Sequence, residues 1–304
     1  MTDRLDVAVA GGPLATYRLG TGDETAAPSV LAIHGITSTS RSWLAAARAL
    51  DGRATLLAVD LRGRGESIML PPDVGLDAHV RDMVAVLDAA GLERAVVVGH
   101  SLGAYIAARL AVSHPDRVAR LVLVDGGLTI PGSAGADPAQ FVQTFLGPTF
   151  ARLEMTFPDV AAYQEWWAQH PAVAGADVDR ADLDAYAAYD LVGEPPRLRS
   201  GITPQVVRDD GLDLFGTPDA PRLTTPASFL CAERGMVNDP HPMQPLADVR
   251  AWADADPGRR SAIPVPDTNH YTIAWGAHGA AAVADAIAES VAHASAGISA
   301  PPAK

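Results

Sequence analysis

The chain has 304 residues, of which 48% are hydrophobic, and its 36 acidic and 23 basic side chains give a formal net charge of −13. A chain of this size can bury a large core, and we expect one domain with a sizeable insertion. The acidic excess argues against nucleic acid or an anionic membrane as a partner. Residues 1–6 carry acids where a signal peptide has a basic start, and no apolar run is long enough to span a membrane, so we expect a cytoplasmic protein.

Strand and helix signals alternate before residue 128. Apolar residues at 5–9 and 15–19 flank Gly11-Gly12-Pro13 and predict an antiparallel hairpin at a sheet edge. Continuous apolar runs follow, and these are typical of strands buried on both faces. Because helix signals separate them, we predict a parallel sheet with right-handed crossovers. The predicted strands lie at 29–33, 54–59, 95–98 and 121–124, and the predicted helices at 42–50, 77–90 and 104–111.

The alternation breaks from Leu128 to Thr225, where Pro, Gly and Asp punctuate the sequence and bulky aromatic residues are frequent. We predict a helical insertion that acts as a lid, with an aromatic underside that lines a pocket. The alternative is that the aromatic side chains only attach the insertion to the core. Helices are predicted to begin at Asp137, Asp159, Asp182 and Thr203.

The sheet resumes near the end of the chain, with strands predicted at 227–231 and 261–265, a helix at 247–255 between them and a closing helix at 279–292. We therefore divide the chain into a core of residues 1–127 and 226–296, a cap of residues 128–225, and a disordered tail of residues 297–304.

The segment Gly99-His100-Ser101-Leu102-Gly103 follows a strand signal and precedes a helix signal, the context of a nucleophile elbow. In such a turn the serine has a strained backbone, and the flanking glycines keep neighbouring side chains from colliding. The hydroxyl lies at the helix N-terminus, where developing negative charge is favoured. We predict that Ser101 is a nucleophile.

A serine nucleophile needs a base, an acid that orients the base, and donors for the oxyanion. His270 follows the last predicted strand and is the candidate base. Asp125 follows four apolar residues at the end of a strand and is the favoured acid, with Glu233 as the alternative and Asp239 a distant third. The role of the acid would be to fix the tautomer of the histidine and to stabilise the imidazolium.

The oxyanion donors are predicted to be backbone N–H groups, that of Leu102 directly after the nucleophile and that of Ile36 after His34-Gly35. Six histidines are assigned to the surface or to helices, and no two of them have metal-ligand spacing supported by cysteines or acids: His79, His114, His170, His241, His278 and His293. Cys231 is the only cysteine, so we expect neither a metal site nor a disulfide. The residues expected to contact substrate are Trp43, His100, Phe145, Trp166, Tyr186, Tyr189 and Tyr271.

With these motifs the chain resembles the α/β-hydrolase-fold superfamily, in its branch of serine esterases and lactonases with a helical cap. The resemblance implies an α/β fold with a mostly parallel eight-stranded sheet, a helical cap inserted after strand 6, no cofactor, and hydrolysis through an acyl-enzyme. Most members place their acid where Gly235 stands here, whereas some resembling lactonases use an acid after strand 6, as Asp125 would be. The matching segments are 34–36, 60–67, 99–103, 124–126 and 269–271.

The sequence thus predicts a serine hydrolase acting on a small, hydrophobic carboxylic ester or lactone. A carbon–carbon bond hydrolase or a cofactor-free perhydrolase would use the same three side chains and is the alternative. A small-molecule receptor with slow turnover is less favoured, because the set of catalytic residue types is complete.

Overall fold

The computed structural model describes residues 3–20, 27–73, 75–214, 216 and 218–298. Within these residues the centre of the protein is an eight-stranded sheet in the order β1-β2-β4-β3-β5-β6-β9-β10, and two short strands, β7 and β8, form a separate ribbon. The strands are β1 Asp3–Val9, β2 Gly12–Leu19, β3 Ser29–Ile33, β4 Thr55–Val59, β5 Ala95–His100, β6 Val118–Val124, β7 Leu191–Val192, β8 Arg199–Ser200, β9 Ala227–Ala232 and β10 Arg260–Val265.

The sheet is parallel except at its first two strands: β1 pairs antiparallel with β2, and β2 pairs antiparallel with β4. Helices cover both faces of the sheet, which is why its central strands are apolar throughout. The helices are α1 Leu44–Leu50, α2 Leu76–Ala89, α3 Leu102–Ser113, α4 Pro138–Phe145, α5 Gly147–Glu154, α6 Val160–Ala168, α7 Arg180–Asp190, α8 Pro204–Leu214, α9 Leu246–Asp254, α10 Thr272–Trp275 and α11 Ala277–Ile298.

This architecture confirms the predicted α/β fold with a mostly parallel eight-stranded sheet. Because the parallel strands all point the same way, the loops after β3, β5, β6 and β10 meet at one edge of the sheet. The residues at that edge come from four distant parts of the sequence. No helix in the described ranges is both long enough and apolar enough to cross a membrane.

The chain between β6 and β9 contains α4 to α8, and the helix signals predicted four of these five helices. Asp137 and Asp159 cap their helices, each accepting a backbone N–H three residues on. The helix predicted to begin at Asp182 instead begins after Asp179, whose side chain accepts the N–H groups of both Ala181 and Asp182. Helix α5 and the β7–β8 ribbon had no clear sequence signal. The division of the chain into a core and a cap stays a prediction.

The aromatic residues of this segment form a cluster with the core rather than an open surface. Trp167 and Tyr186 pack against Trp275 of α10, with ring centroids 5.2 and 4.6 Å apart. These contacts attach α6 and α7 to the last part of the chain. At the C-terminal end, α11 continues through Ile298, so the predicted tail starts inside a helix, and residues 299–304 of that prediction lie outside the described residues.

Candidate active site

Ser101 lies between β5 and α3 in a backbone conformation that side chains rarely adopt, with φ of 54° and ψ of −121°. Its N–H donates to the carbonyl of Val124 on the neighbouring strand at 3.0 Å, which holds the turn against the sheet. Gly103 is required here because a Cβ at that position would lie 2.0 Å from the carbonyl oxygen of Ile33. The predicted strand, turn and helix context is therefore present.

His270 and Asp125 are joined by a hydrogen bond of 2.6 Å between Nδ1 and Oδ2. Asp125 is fully buried directly after β6, and its other carboxylate oxygen accepts the N–H of Ala232 at 3.1 Å. A carboxylate only accepts, so the hydrogen of the imidazole lies on Nδ1 and Nε2 is left as the basic nitrogen. The side chains of Ser101 and His270 line the same cavity, although they share no hydrogen bond in the described part of the chain. Such contacts commonly tighten only when substrate binds.

The alternative acids point elsewhere. Glu233 accepts the N–H of Asp267 at 2.8 Å, and Asp239 accepts the N–H of His241 at 3.0 Å. The structure therefore brings Asp125, and neither alternative, to the histidine.

The loop after β3, which contains the predicted oxyanion donor Ile36, is held in place by hydrogen bonds. His34 accepts the N–H of Leu61 at Nε2, at 3.0 Å, so its Nδ1 carries the hydrogen and donates to the carbonyl of Gly35 at 2.7 Å. That carbonyl belongs to the peptide group that contains the N–H of Ile36. No acceptor for the N–H groups of Ile36 and Leu102 occurs within the described residues. Both groups are thus available to a ligand.

Two arginines hold the next carbonyls of the same loop, and sequence analysis predicted neither contact. Arg64 donates through Nε and Nη2 to the carbonyl of Ile36 at 3.0 and 2.9 Å, and it is paired with Asp210 of α8 at 2.7 Å. Arg152 of α5 donates to the carbonyl of Thr37 at 2.9 Å. Their acidic partners are distant along the chain, so no local pattern signals these contacts.

The site opens into two adjoining cavities. The inner one, of about 40 Å³, lies beside Ser101, and the outer one measures about 410 Å³. Their walls are mostly apolar, and Arg152 and His170 border the outer cavity. Burial, followed by the positive charge of Arg152, lowers the pKa of His170 to about 4. The two cavities share Ile130, Phe145, Met236, Met243 and Tyr271 as lining residues.

Three of the seven residues predicted to contact substrate, His100, Phe145 and Tyr271, line these cavities. The other four lie elsewhere in the described structure. Trp43 is buried in the core beneath α1, and Trp166 packs among the rings of Phe157, Tyr163, Trp167 and His170. Tyr186 packs on Trp275, and Tyr189 donates to Asp60 at 2.5 Å.

Because His34 is fully buried, we expect the stability of the folded protein to depend on pH. Burial lowers its pKa to about 3, whereas an unfolded histidine titrates near 6.5. The unfolded chain therefore binds a proton that the folded chain does not, and stability falls as the pH drops from about 6.5 towards 3. Between pH 7 and 5.5 this residue should account for about 1 kcal/mol of the loss.

Urea unfolding at the two pH values tests this expectation. The His34→Gln variant should lose about 1 kcal/mol less than the wild type over that interval. His293→Gln, which changes an exposed histidine, should behave like the wild type. An equally steep loss in the His34→Gln variant would contradict the expected role of His34.

Comparison with known proteins agrees with this architecture. A family model described as the α/β hydrolase fold matches residues 28–171. Lipase LipV of Mycobacterium tuberculosis is 36% identical over 166 residues, 55% of this chain and 58% of the lipase. A putative carbamate hydrolase, RutD of Caulobacter vibrioides, is 39% identical over 125 residues, 41% of this chain and 43% of that protein. The chain thus spans about half the length of the curated relatives that it matches.

Solved structures resemble nearly the whole chain. The crystal structure of E-2-(acetamidomethylene)succinate hydrolase has a TM-score of 0.77 at 20% identity, covering 94% of this chain and 99% of that one. A thioesterase domain from the curacin biosynthetic pathway has a TM-score of 0.72 at 19% identity, with the same coverage. At such identities the likeness establishes the fold alone. The chain therefore has the α/β-hydrolase fold, as its motifs indicated.

No group of three or more His, Cys, Asp or Glu side chains in the described residues is placed to hold a metal ion.

Proposed function

We propose that the protein is a serine hydrolase that cleaves a hydrophobic carboxylic ester or lactone through an acyl-enzyme. The observation that supports this most strongly is the 2.6 Å hydrogen bond between His270 and the buried Asp125, at the sheet edge where Ser101 occupies its strained turn. Because the buried carboxylate accepts the hydrogen of Nδ1, Nε2 is free to act as a base towards a hydroxyl.

In the proposed reaction the Oγ of Ser101 attacks the carbonyl carbon of the substrate while Nε2 of His270 takes the hydroxyl proton. The negative charge on the carbonyl oxygen is stabilised by the N–H groups of Ile36 and Leu102. The intermediate collapses to an acyl-enzyme, and the leaving alkoxide receives the proton from His270. A water molecule then attacks the acyl carbon and gives one proton to the same nitrogen, which passes it to the Oγ of Ser101 as the acid is released.

The mostly apolar walls of the inner cavity support an uncharged group of the substrate beside Ser101, whereas the outer cavity is also bordered by Arg152 and Asp239. We further propose that residues 128–225 act as a cap, because Phe145 of α4 and Arg152 of α5 border the cavities and α5 contacts the loop after β3. The relatives named as a lipase and a putative carbamate hydrolase are compatible with acyl transfer of this kind.

Labelling with a fluorophosphonate tests the proposal directly. The wild type should be labelled at one serine, and Ser101→Ala should not be labelled. Ser38→Ala is the matched control, because Ser38 lines the same cavity without a role in the proposed reaction, and this variant should be labelled like the wild type. An unlabelled wild type would overturn the proposal. A panel of esters, lactones and diketones then separates ester cleavage from carbon–carbon bond cleavage.

A further inference from the structure

His100, the residue before Ser101, has a nitrogen atom that the proposed reaction does not use. Its side chain is only 5% exposed and lines the inner cavity. Its Nε2 lies 2.8 Å from the carbonyl oxygen of His270. A carbonyl oxygen can only accept, so Nε2 carries the hydrogen and Nδ1 presents a lone pair.

This lone pair has no partner. Among the described residues no donor reaches Nδ1 of His100, although the atom is buried. Burial, followed by the charge of His270, lowers the pKa of His100 well below its ordinary value, so Nδ1 stays an acceptor at neutral pH. An unsatisfied buried acceptor is costly, and a ligand that supplies a donor removes this cost.

The position of Nδ1 indicates where such a donor would lie. A Cβ added to Gly35 would be 3.5 Å from Nδ1 and 3.7 Å from the Oγ of Ser101. The nucleophile and the free acceptor therefore lie beside the same glycine, and both side chains line the inner cavity. The next residue, Ile36, contributes the N–H that faces the carbonyl oxygen in the proposed reaction.

We propose that Nδ1 of His100 accepts a hydrogen bond from an O–H or N–H group on the atom bonded to the scissile carbonyl carbon of the substrate. The preferred acyl groups are then 2-hydroxyacyl groups, or carbamoyl groups that keep an N–H. This inference rests on the proposed function, which sets the orientation of the substrate carbonyl. The unpaired Nδ1 of His100 is a property of the cavity itself. His100 is thus a specificity-determining residue beside the reaction centre.

Binding to the Ser101→Ala variant tests the inference without turnover. Calorimetry should show phenyl 2-hydroxybutanoate binding about threefold to tenfold more tightly than phenyl butanoate, the gain expected from one neutral hydrogen bond. Adding His100→Phe should abolish this ratio. Adding Ile130→Val, a change to an apolar lining residue, should preserve it. Comparing phenyl N-methylcarbamate with its N,N-dimethyl analogue distinguishes an N–H donor from an O–H donor.

The outcomes separate the two proposals. Equal binding of the donor-bearing and donor-free compounds, in both pairs, overturns the role of His100 even if Ser101 is labelled by a fluorophosphonate. A ratio that survives His100→Phe also overturns it, because the preference then arises elsewhere. If the wild type is not labelled by the fluorophosphonate, but binding still favours the donor-bearing compounds and this preference depends on His100, the acceptor role of His100 is supported. Only the proposed serine-hydrolase function is then overturned.

Discussion

Replacing Asp125 with asparagine should lower kcat/KM by about two to four orders of magnitude. In the wild type the carboxylate accepts the Nδ1 hydrogen of His270 and keeps Nε2 free of hydrogen. An asparagine amide can donate to Nδ1 instead, which moves the hydrogen to Nε2 and removes the base that Ser101 requires. Initial rates on a phenyl ester measure the effect, and circular dichroism shows whether the variant is folded.

Glu233→Gln is the matched control for Asp125→Asn. It also exchanges a carboxylate for an amide after a strand of the same sheet, but Glu233 contacts the N–H of Asp267 rather than the histidine. Its kcat/KM should stay within about twofold of the wild type, the range expected of a surface substitution. If Glu233→Gln were crippled and Asp125→Asn were active, Asp125 would not be the acid.

The placement of the candidate catalytic residues could be predicted because each of them follows a strand signal. Ser101 and Asp125 come directly after strands, and His270 lies in the loop that follows the last strand. A parallel sheet gathers such positions at one edge. The choice between Asp125 and Glu233 depended on which carboxylate was buried. Asp125 is fully buried whereas Glu233 contacts an exposed turn, a difference in three-dimensional packing that the local sequence suggested only weakly.

The contacts that hold the loop after β3 could not be predicted. Arg64 and Arg152 are ordinary arginines in sequence, and their acidic partners lie on other helices of the fold. The lining of the pocket was also only partly predictable. Aromatic spacing shows that a helix has an apolar face, but not whether this face borders a cavity or packs on another element, as Tyr186 packs on Trp275.

Replacing Asp190 with alanine should lower the free energy of unfolding by about 3–5 kcal/mol, the cost of leaving a buried charge without its partner. Arg152 is 5% exposed and donates to Asp190 at 3.0 Å, and Tyr163 and Ser200 also donate to that carboxylate, at 2.6 and 3.0 Å. The substitution removes an acceptor from all three groups. Denaturation in urea measures the loss.

Asp184→Ala is the matched control on the same helix. Asp184 pairs with Arg180 one turn away at a partly exposed surface, and such pairs contribute about 0.3–0.5 kcal/mol. A loss of similar size in the two variants would contradict a special role for the buried pair.

The double variant Arg152→Met, Asp190→Leu separates the cost of an unpaired charge from the value of the pair itself. Because no charge is then left buried, it should be less destabilised than Asp190→Ala alone. It also removes the donor to the carbonyl of Thr37, beside the N–H of Ile36. We therefore expect the double variant to lose kcat while it keeps much of its stability, since it lacks the contact that α5 makes with the loop after β3, which carries the proposed oxyanion donor Ile36.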